Sequence, residues 1–385
     1  MPKSYTFRMK LKHWALRSVM ACMSLKPIDK RKVVMVSYRG KGYGDNGKAI
    51  AESLLKMDPN LDIVWAAEPK YFSTVPDGIR TVAYNSMSYL YELATAGAWV
   101  DNSRKNAGIR KRKRQFYVQT WHGTTALKQI EKDVEDHLDE FYVAGAKNDS
   151  AMANVILSGC DFFTKLVRRA FWYHGEVLES GSPRSDILIN ANAERCTRAR
   201  QKLGVREDQK IVLYAPTFRA DERMDCYQMD FAGVLDALQE KTGQEWVFAL
   251  RLHPNVAEKA DFITYSDKLI NATGDLDLYE LLPAVDFVIS DYSSVMFDAG
   301  LIGKPVMLFA TDVEDYIADR SFYFDIFNMP FTLAQSNEEL LAALKKFDQT
   351  TYDQALEAFN QTVGYCERGT AADIVATRIL EELNG

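Results

Sequence analysis

Residues 287–309 read FVISDYSSVMFDAGLIGKPVMLF, and their pattern decides the fold. A short apolar run, Phe287–Ile289, gives way to the polar turn Ser290-Asp291-Tyr292-Ser293-Ser294. An apolar stretch of helix length follows to Leu301, then a Gly303-Lys304-Pro305 stop and a second apolar run, Val306–Phe309. Continuous runs of this length are those of parallel strands buried on both faces, and parallel neighbours need a crossover such as the stretch between them. Working outward, Ile211–Tyr214, Trp246–Arg251 and Leu269–Ile270 read as further strands, with helices near Phe231–Lys241, Leu278–Leu282 and Asn337–Phe347. Upstream, Lys32–Val36, Ile63–Ala67, Thr81–Tyr84, Ala98–Asp101, Phe116–Thr120, Val155–Leu157 and Val177–Glu179 repeat the alternation, with helices at Lys48–Met57 and Met87–Ala96.

A polar, arginine-rich helix, Ala191–Lys202, ends at Gly204 and separates the two blocks. The expected fold is α/β, with two Rossmann-like doubly wound domains facing across a cleft. The expected divisions are a basic amphipathic helix over 1–28, an N-terminal domain over 29–190 and a C-terminal domain over 205–370. A terminal helix, 371–385, is expected to pack back on the first domain. Dehydrogenases, periplasmic binding proteins and two-lobed glycosyltransferases share this outline, so function must be read from the residues placed on it.

Composition excludes several classes. At 385 residues with 47% hydrophobic and 26% charged, the chain can bury large cores without disulfide help. Five cysteines form no CxxC pair and five histidines show neither HxH nor HExxH spacing, so no zinc ribbon or histidine-built metal site is expected. There is no Walker A sequence, and GKGYGDNG (40–47) lacks the spacing of a dinucleotide fingerprint. That loop reads instead as a mobile cleft loop touching an acceptor.

Net charge is −6, but the positive charge is concentrated. Residues 1–26 hold six Lys/Arg and no acid, and residues 104–114, RKNAGIRKRKR, hold seven more. Two basic patches on an acidic body point to local anionic partners and away from nucleic acid. On a helical wheel Lys10, His13, Arg17 and Ser24 share a stripe, with Leu11, Trp14, Leu16, Val19, Met23 and Leu25 around the rest. Such a helix either lies in an anionic membrane surface or docks on the protein's own core. The second patch reads either as a solvated loop or as a contact for phosphate headgroups or a polyanionic acceptor.

Ligands of doubly wound sheets bind beyond the carboxyl ends of the strands, and the polar clusters lie there. After Phe116–Thr120 comes Trp121-His122-Gly123, a histidine able to act as general base or to serve only structure. After Ile211–Tyr214 comes APTFR with Arg219, suited to phosphate or to an ion pair. Arg251 and His253 share a side at the next strand end, a plausible diphosphate clamp. Ser293 or Ser294 caps the following helix, whose N–H groups form an anion site, and Asp298 lies one turn in.

Together GKGYGDN (40–46), QTWHGT (119–124), GSPRSD (181–186), YAPTFR (214–219), RLHPN (251–255) and SDYSSVMFDAGLIGKPV (290–306) resemble the CDP-glycerol glycerophosphotransferase family of teichoic acid glycerol- and ribitol-phosphate primases and polymerases. Two departures are Gly47, where proline often follows Asp-Asn, and Ser182, where an aromatic commonly precedes the proline. The resemblance implies a GT-B fold with the nucleotide on the C-terminal domain and the acceptor on the N-terminal one. It implies that His122 deprotonates the acceptor hydroxyl, while Arg219 and His253 bind the diphosphate and stabilise phosphorus as CMP leaves. Ser293 and Ser294 would hold phosphate oxygens; Arg251, Asp291 and Asp298 would line the nucleotide or glycerol site. Gly42, Tyr43, Asp45, Asn46 and Arg184 would contact the acceptor. No cofactor and no obligatory metal are expected.

The family's larger polymerases carry an extra N-terminal domain that this length does not hold. A compact member with a basic helix looks like a priming enzyme for an undecaprenyl-diphosphate-linked saccharide. It would be peripheral at the cytoplasmic membrane face, held there by residues 1–26 and 104–114. The alternatives are a CDP-ribitol donor, a capsule polymerase, a GT-B nucleotide-sugar glycosyltransferase and a non-catalytic lipid-associated scaffold.

Overall fold

The structure is a computed structural model that describes residues 5–217, 219, 227–252, 263–274, 276–319 and 321–385. The first sheet contains β1 (Asp29–Val36), β2 (Asp62–Ala67), β3 (Arg80–Ala83), β4 (Ala96–Asp101), β5 (Phe116–Gln119), β6 (Val155–Leu157) and β7 (Glu176–Leu178). Its spatial order is β3-β2-β1-β4-β5-β6-β7, with every pairing parallel. The second sheet contains β8 (Lys210–Tyr214), β9 (Trp246–Leu250), β10 (Leu269–Asn271), β11 (Phe287–Ser290), β12 (Val306–Phe309) and β13 (Thr332–Ala334). Its order, β10-β9-β8-β11-β12-β13, repeats the Rossmann plan and is again parallel throughout. The α/β class and the two Rossmann-like units are as expected. The edge strand β13 escaped the sequence reading because three residues, Thr-Leu-Ala, carry too little pattern.

Both faces of each sheet are covered, which is why its strands read as unbroken apolar runs. In β1, Val33 and Met35 join a core with Ile50, Leu54 and Trp65, while Val34 and Val36 join another with Tyr89, Leu93 and Trp99. In the second sheet Leu213 and Val288 share one core, and Val212, Phe248 and Ile289 the other. Each fully buried side chain of this size contributes roughly 1.5–3 kcal/mol relative to leaving it in water.

The chain passes between the two units more often than the expected boundaries imply. The first comprises Met1–Thr124, Ile130–Asp186 and Gly364–Gly385; the second comprises Thr125–Gln129 and Ile187–Val363. The short segment 125–129 joins the second unit through an antiparallel bridge, Lys128 to Phe322, with Gln129 N–H on the Ser321 carbonyl at 2.9 Å. The return to the first unit starts at Gly364, ahead of the terminal helix Ala371–Asn384. That helix buries Val375, Ala376, Ile379 and Leu383 in the core containing Val33 and Ile50, and Asp373 takes a 2.6 Å hydrogen bond from Ser53.

The N-terminal helix, Phe7–Met23, does not follow the stripe expected of it. His13 and Met20 are buried, Leu16, Val19 and Met23 pack on the core, and Arg17 donates to the Ala107 carbonyl at 3.0 Å. The side opposite carries Phe7, Leu11 and Trp14, at 81, 53 and 66% exposure, in line with Leu25 just beyond the helix at 87%. Of that stripe only His13 is buried; the helix docks on the protein's own core, one of its two expected readings, and leaves an apolar ridge in solvent. Among the described residues no helix is long and apolar enough to cross a membrane.

The second basic patch also needs correction. Arg104 is buried in ion pairs with Glu131 (2.7 Å) and Asp149 (3.2 Å), and Lys105 is buried on Asp101 (2.7 Å). Arg110 bonds Asn148, Lys111 donates to the Gln115 carbonyl, and Arg112 to the carbonyls of Lys26 and Ala94. Of its seven basic residues only Lys113 and Arg114 are exposed, so most of this run holds the loop together.

Candidate active site

In the first sheet strand order reverses between β1 and β4, so the loops after these strands meet at one edge of the carboxyl face. The loop after β1 holds Tyr38 and Asp45, β4 is followed by Asn102, and β5 by His122. Tyr38 N–H donates to Asn102 Oδ1 at 2.7 Å, and Asn102 Nδ2 donates to Asp45 Oδ1 at 3.0 Å. Asn102 also presents its backbone carbonyl to His122 Nδ1 at 2.8 Å. A carbonyl can only accept, so this contact assigns the proton of the neutral ring to Nδ1 and leaves Nε2 with its lone pair.

The imidazole stacks on Trp121 (centroids 4.4 Å apart) and meets the Tyr38 ring edge-on at 6.1 Å. One part of the residue stays open to solvent. Crowding on the other sides withholds water from the imidazolium and pulls the pKa below its ordinary 6.5, against the opposing pull of the Asn102 carbonyl and Asp45. The ring is therefore neutral at neutral pH. Trp121, immediately before it, has φ +54°, a conformation costly for a bulky residue. Its neighbours hold it there: Trp121 N–H donates to Gln119 Oε1, and its carbonyl accepts from Asn46 Nδ2 at 3.1 Å.

The residues expected to touch the acceptor form much of the support beneath this loop. The Asp45 carboxylate is buried; it pairs with Arg184 at 3.0 Å and accepts from the Tyr38 hydroxyl at 2.6 Å. Burial opposes its charge, but Arg184, Tyr38 and Asn102 outweigh that and hold its pKa below the usual range. Asn46 accepts from Ser182 Oγ and from Arg184 N–H, while Arg184 donates to the His122 carbonyl at 2.8 Å. Gly42 gives its carbonyl to Trp65 Nε1, and Tyr43 packs on the Trp65 ring with its hydroxyl buried and unpaired among the described residues. The loop read as mobile is bonded at nearly every residue.

Both departures from the family pattern have local causes. A Cβ at Gly47 would come within 2.9 Å of Ser37 Oγ and of the Trp65 ring. Ser182 spends its hydroxyl on Asn46 and its N–H on Glu367 at 2.9–3.0 Å. Glu367 is a supporting residue that the sequence reading missed, since it lies over 180 residues from its partner in sequence.

In the second sheet the switch point lies between β8 and β11. Thr217 N–H after β8 donates to both Asp291 oxygens after β11, at 2.8 and 3.0 Å. Arg219 is only 4% exposed: it pairs with Asp291 (2.8 Å) and Asp312 (2.7 Å), donates to the Thr217 carbonyl, and lies over the rings of Tyr292 and Tyr316. Burial raises the Asp312 pKa, and the Arg219 guanidinium more than offsets it, leaving the carboxyl below its ordinary value. Asp312 was not read from sequence, although it follows β12 as the carboxyl-end rule requires.

Arg251 is turned to the carbonyls of Ala272 and Leu276, at 2.9 and 2.6 Å, and Asp298 is buried against the Tyr279 hydroxyl at 2.7 Å. Ser294 occupies the N-cap position of the helix Val295–Leu301 but makes no capping hydrogen bond, leaving its side chain exposed; Ser293 Oγ accepts weakly from Val295 N–H at 3.4 Å. The Thr217 hydroxyl is buried with no partner among the described residues. His253 lies outside the described residues. Among those described, no cluster of His, Cys, Asp or Glu could hold a metal ion.

Residues 18–381 match the family described as CDP-Glycerol:Poly(glycerophosphate) glycerophosphotransferase. The chain is 30% identical to a teichoic acid poly(glycerol phosphate) polymerase of Bacillus subtilis, over 97% of its own length and 52% of that protein's. It is 29% identical to a teichoic acid glycerol-phosphate transferase of Staphylococcus aureus, covering 92% of this chain and 94% of that one. The chain thus spans about half the length of some curated relatives and nearly all of others. A solved structure of the wall teichoic acid polymerase TagF superposes with a TM-score of 0.84 at 28% identity, covering 98% of this chain and 97% of that one. The chain belongs to the CDP-glycerol:poly(glycerophosphate) glycerophosphotransferase family.

Proposed function

We propose that this protein transfers glycerol phosphate from CDP-glycerol to a hydroxyl of a lipid-linked glycerol-phosphate acceptor in teichoic acid synthesis. The observation that carries the reading is the His122 tautomer: Nδ1–H held on the Asn102 carbonyl leaves Nε2 as a neutral base on a residue exposed to solvent. In the reaction Nε2 takes the hydroxyl proton as the acceptor oxygen bonds to the donor's glycerol-bearing phosphorus. The bond from that phosphorus to the bridging oxygen breaks, and CMP leaves with the electron pair. Such a transfer depends on positioning and charge stabilisation, which the second unit is suited to supply. Ser293, Ser294 and the unpaired Thr217 hydroxyl are the proposed donor-phosphate contacts there. Asp298, bonded to the Tyr279 hydroxyl, and Arg251, bonded to the Ala272 and Leu276 carbonyls, act as supports for those contacts. His253 is proposed as a direct diphosphate contact. Arg219 acts by holding the loops after β8, β11 and β12 together, since four of its N–H groups are spent on Asp291, Asp312 and Thr217.

The acceptor is proposed to be an undecaprenyl-diphosphate-linked saccharide or its glycerol-phosphate extension, met at the cytoplasmic membrane face. The Phe7–Leu11–Trp14–Leu25 ridge, with Arg8, Lys12 and Lys26 on one flank and Lys10 on the other, suits the headgroup region of an anionic bilayer. Trp14→Glu should abolish sedimentation with phosphatidylglycerol vesicles while leaving the fold intact; unchanged sedimentation would remove this helix from membrane binding.

The deciding experiment is CMP release by the purified chain from CDP-glycerol or CDP-ribitol, with a short-chain analogue of the lipid-linked disaccharide. Release with CDP-glycerol is expected. Release with CDP-ribitol alone would reassign the donor, and neither release nor binding of either donor would overturn the reading.

A further inference from the structure

The structure leaves one well-placed cation unused. Arg39 lies between Tyr38, whose ring meets His122, and Gly40. Its side chain is exposed, and it has no hydrogen bond or ion pair among the described residues. Lys41, two residues on, is also exposed, with no side-chain partner. Arg39 thus differs from Arg104, Arg184 and Arg219, which are buried on carboxylates.

The backbone that presents it is held under strain. Tyr38 and Arg39 adopt left-handed φ of +46° and +57°, followed by Gly40 at +88°. Two consecutive non-glycine residues in this region cost on the order of 1–3 kcal/mol each, so the surroundings must impose them. They do: Tyr38 is fixed through its N–H to Asn102 and its hydroxyl to Asp45. Gly40 N–H bonds the Ser37 carbonyl at 2.8 Å, and its own carbonyl accepts from Glu68 N–H at 2.8 Å. Gly40 is pressed so closely on Tyr84 that a Cβ there would lie 2.7 Å from the Tyr84 Cβ. Arg39 is therefore a free guanidinium on a braced platform, one residue from a side chain that touches the base.

We propose that Arg39, assisted by Lys41, binds the phosphodiester of the acceptor that adjoins the attacking hydroxyl. This rests on the reading of His122 as base. In a glycerol-phosphate acceptor the reacting hydroxyl and a phosphodiester share one three-carbon unit, so a base at the first needs a cation near the second. A planar guanidinium bonds two phosphate oxygens at once, and a rigid base reduces the ordering lost on binding. The site then prefers phosphate-bearing acceptors over neutral ones, and it favours continued addition once the first glycerol phosphate is in place.

The test has two arms. In the first, calorimetry without donor measures binding of a short glycerol-phosphate oligomer to the full-length chain. Arg39→Gln should weaken binding by about ten- to a hundred-fold, and Arg39→Lys by less. In the second, steady-state turnover with CDP-glycerol should show KM for the oligomer raised by a similar factor in Arg39→Gln. KM for CDP-glycerol and turnover with free glycerol as acceptor should be unchanged. Equal oligomer affinity in wild type and Arg39→Gln overturns the proposal, whatever the turnover shows. So does a rise in KM that is as large for CDP-glycerol as for the oligomer. Wild type that binds the oligomer through Arg39 yet releases no CMP would instead overturn the transfer reading and leave the binding site standing.

Discussion

The carboxyl edges of the two sheets share a topology, and each buries an Arg–Asp pair, but they differ in what they leave exposed. At the first, the ion pair Asp45–Arg184 lies beneath the loop, and the proposed base, His122, is exposed. At the second, the cation that sequence would place on the substrate, Arg219, is itself the buried centre, clasped by Asp291 and Asp312. A strand-end arginine is thus as well suited to fastening three loops as to binding phosphate. Only its burial and partners distinguish the two uses.

If this contrast holds, His122 and Arg219 should fail in different ways when removed. His122→Ala should lower turnover by about 10²–10⁴-fold, the usual share of a general base, with CDP-polyol affinity and thermal stability unchanged. A loss of donor binding instead would show that the histidine is structural. Arg219→Ala leaves two buried carboxylates without their counter-ion and should lower unfolding free energy by about 3–5 kcal/mol, read from denaturant titration. Arg219→Lys keeps the charge but not the paired geometry and should recover only part of it. Stability unchanged in Arg219→Ala, with donor affinity lost, would restore Arg219 as a direct ligand.

Two smaller effects probe the first edge. Gly47→Ala forces a methyl against Ser37 Oγ and Trp65 and should cost about 1–3 kcal/mol, again by denaturant titration. The smallest concerns pH. A base works only when deprotonated, so kcat/KM should rise with pH through the His122 pKa and level off above a point lower than 6.5. Asp45 pulls that pKa upward and Arg184 pulls it down, so Asp45→Asn should move the acid limb to lower pH. A limb moving to higher pH would mean that Asp45 does not act on His122 through its charge.

The strands, the two units and the strand-end motifs were legible because parallel strands buried on both faces cannot hide their apolar runs. The loops were legible as positions but not as contacts. Asp45, Asn46 and Arg184 stood out in sequence as polar residues near a glycine-rich turn, yet their partners come from β4, β5 and the 181–186 turn, which no spacing rule brings together. The stripe on the N-terminal helix misled because amphipathicity gives an angle, not a neighbour: His13 lies on the polar edge and is buried. The run 104–114 misled because Glu131 and Asp149, which bury Arg104, lie 27 and 45 residues away.

The path of the chain has a consequence for the order in which the protein can be made. The seven strands of the first sheet are complete at Leu178, but the helix that covers Val33, Ile50 and Ile63 arrives only with residues 371–384. On a ribosome adding 5–20 residues per second, that apolar face waits for roughly 10–40 s while the whole second unit emerges. The N-terminal half of a nascent chain is therefore the part most in need of a chaperone. The second unit, whose segment 187–363 is continuous but for the strap already made, is free to fold first.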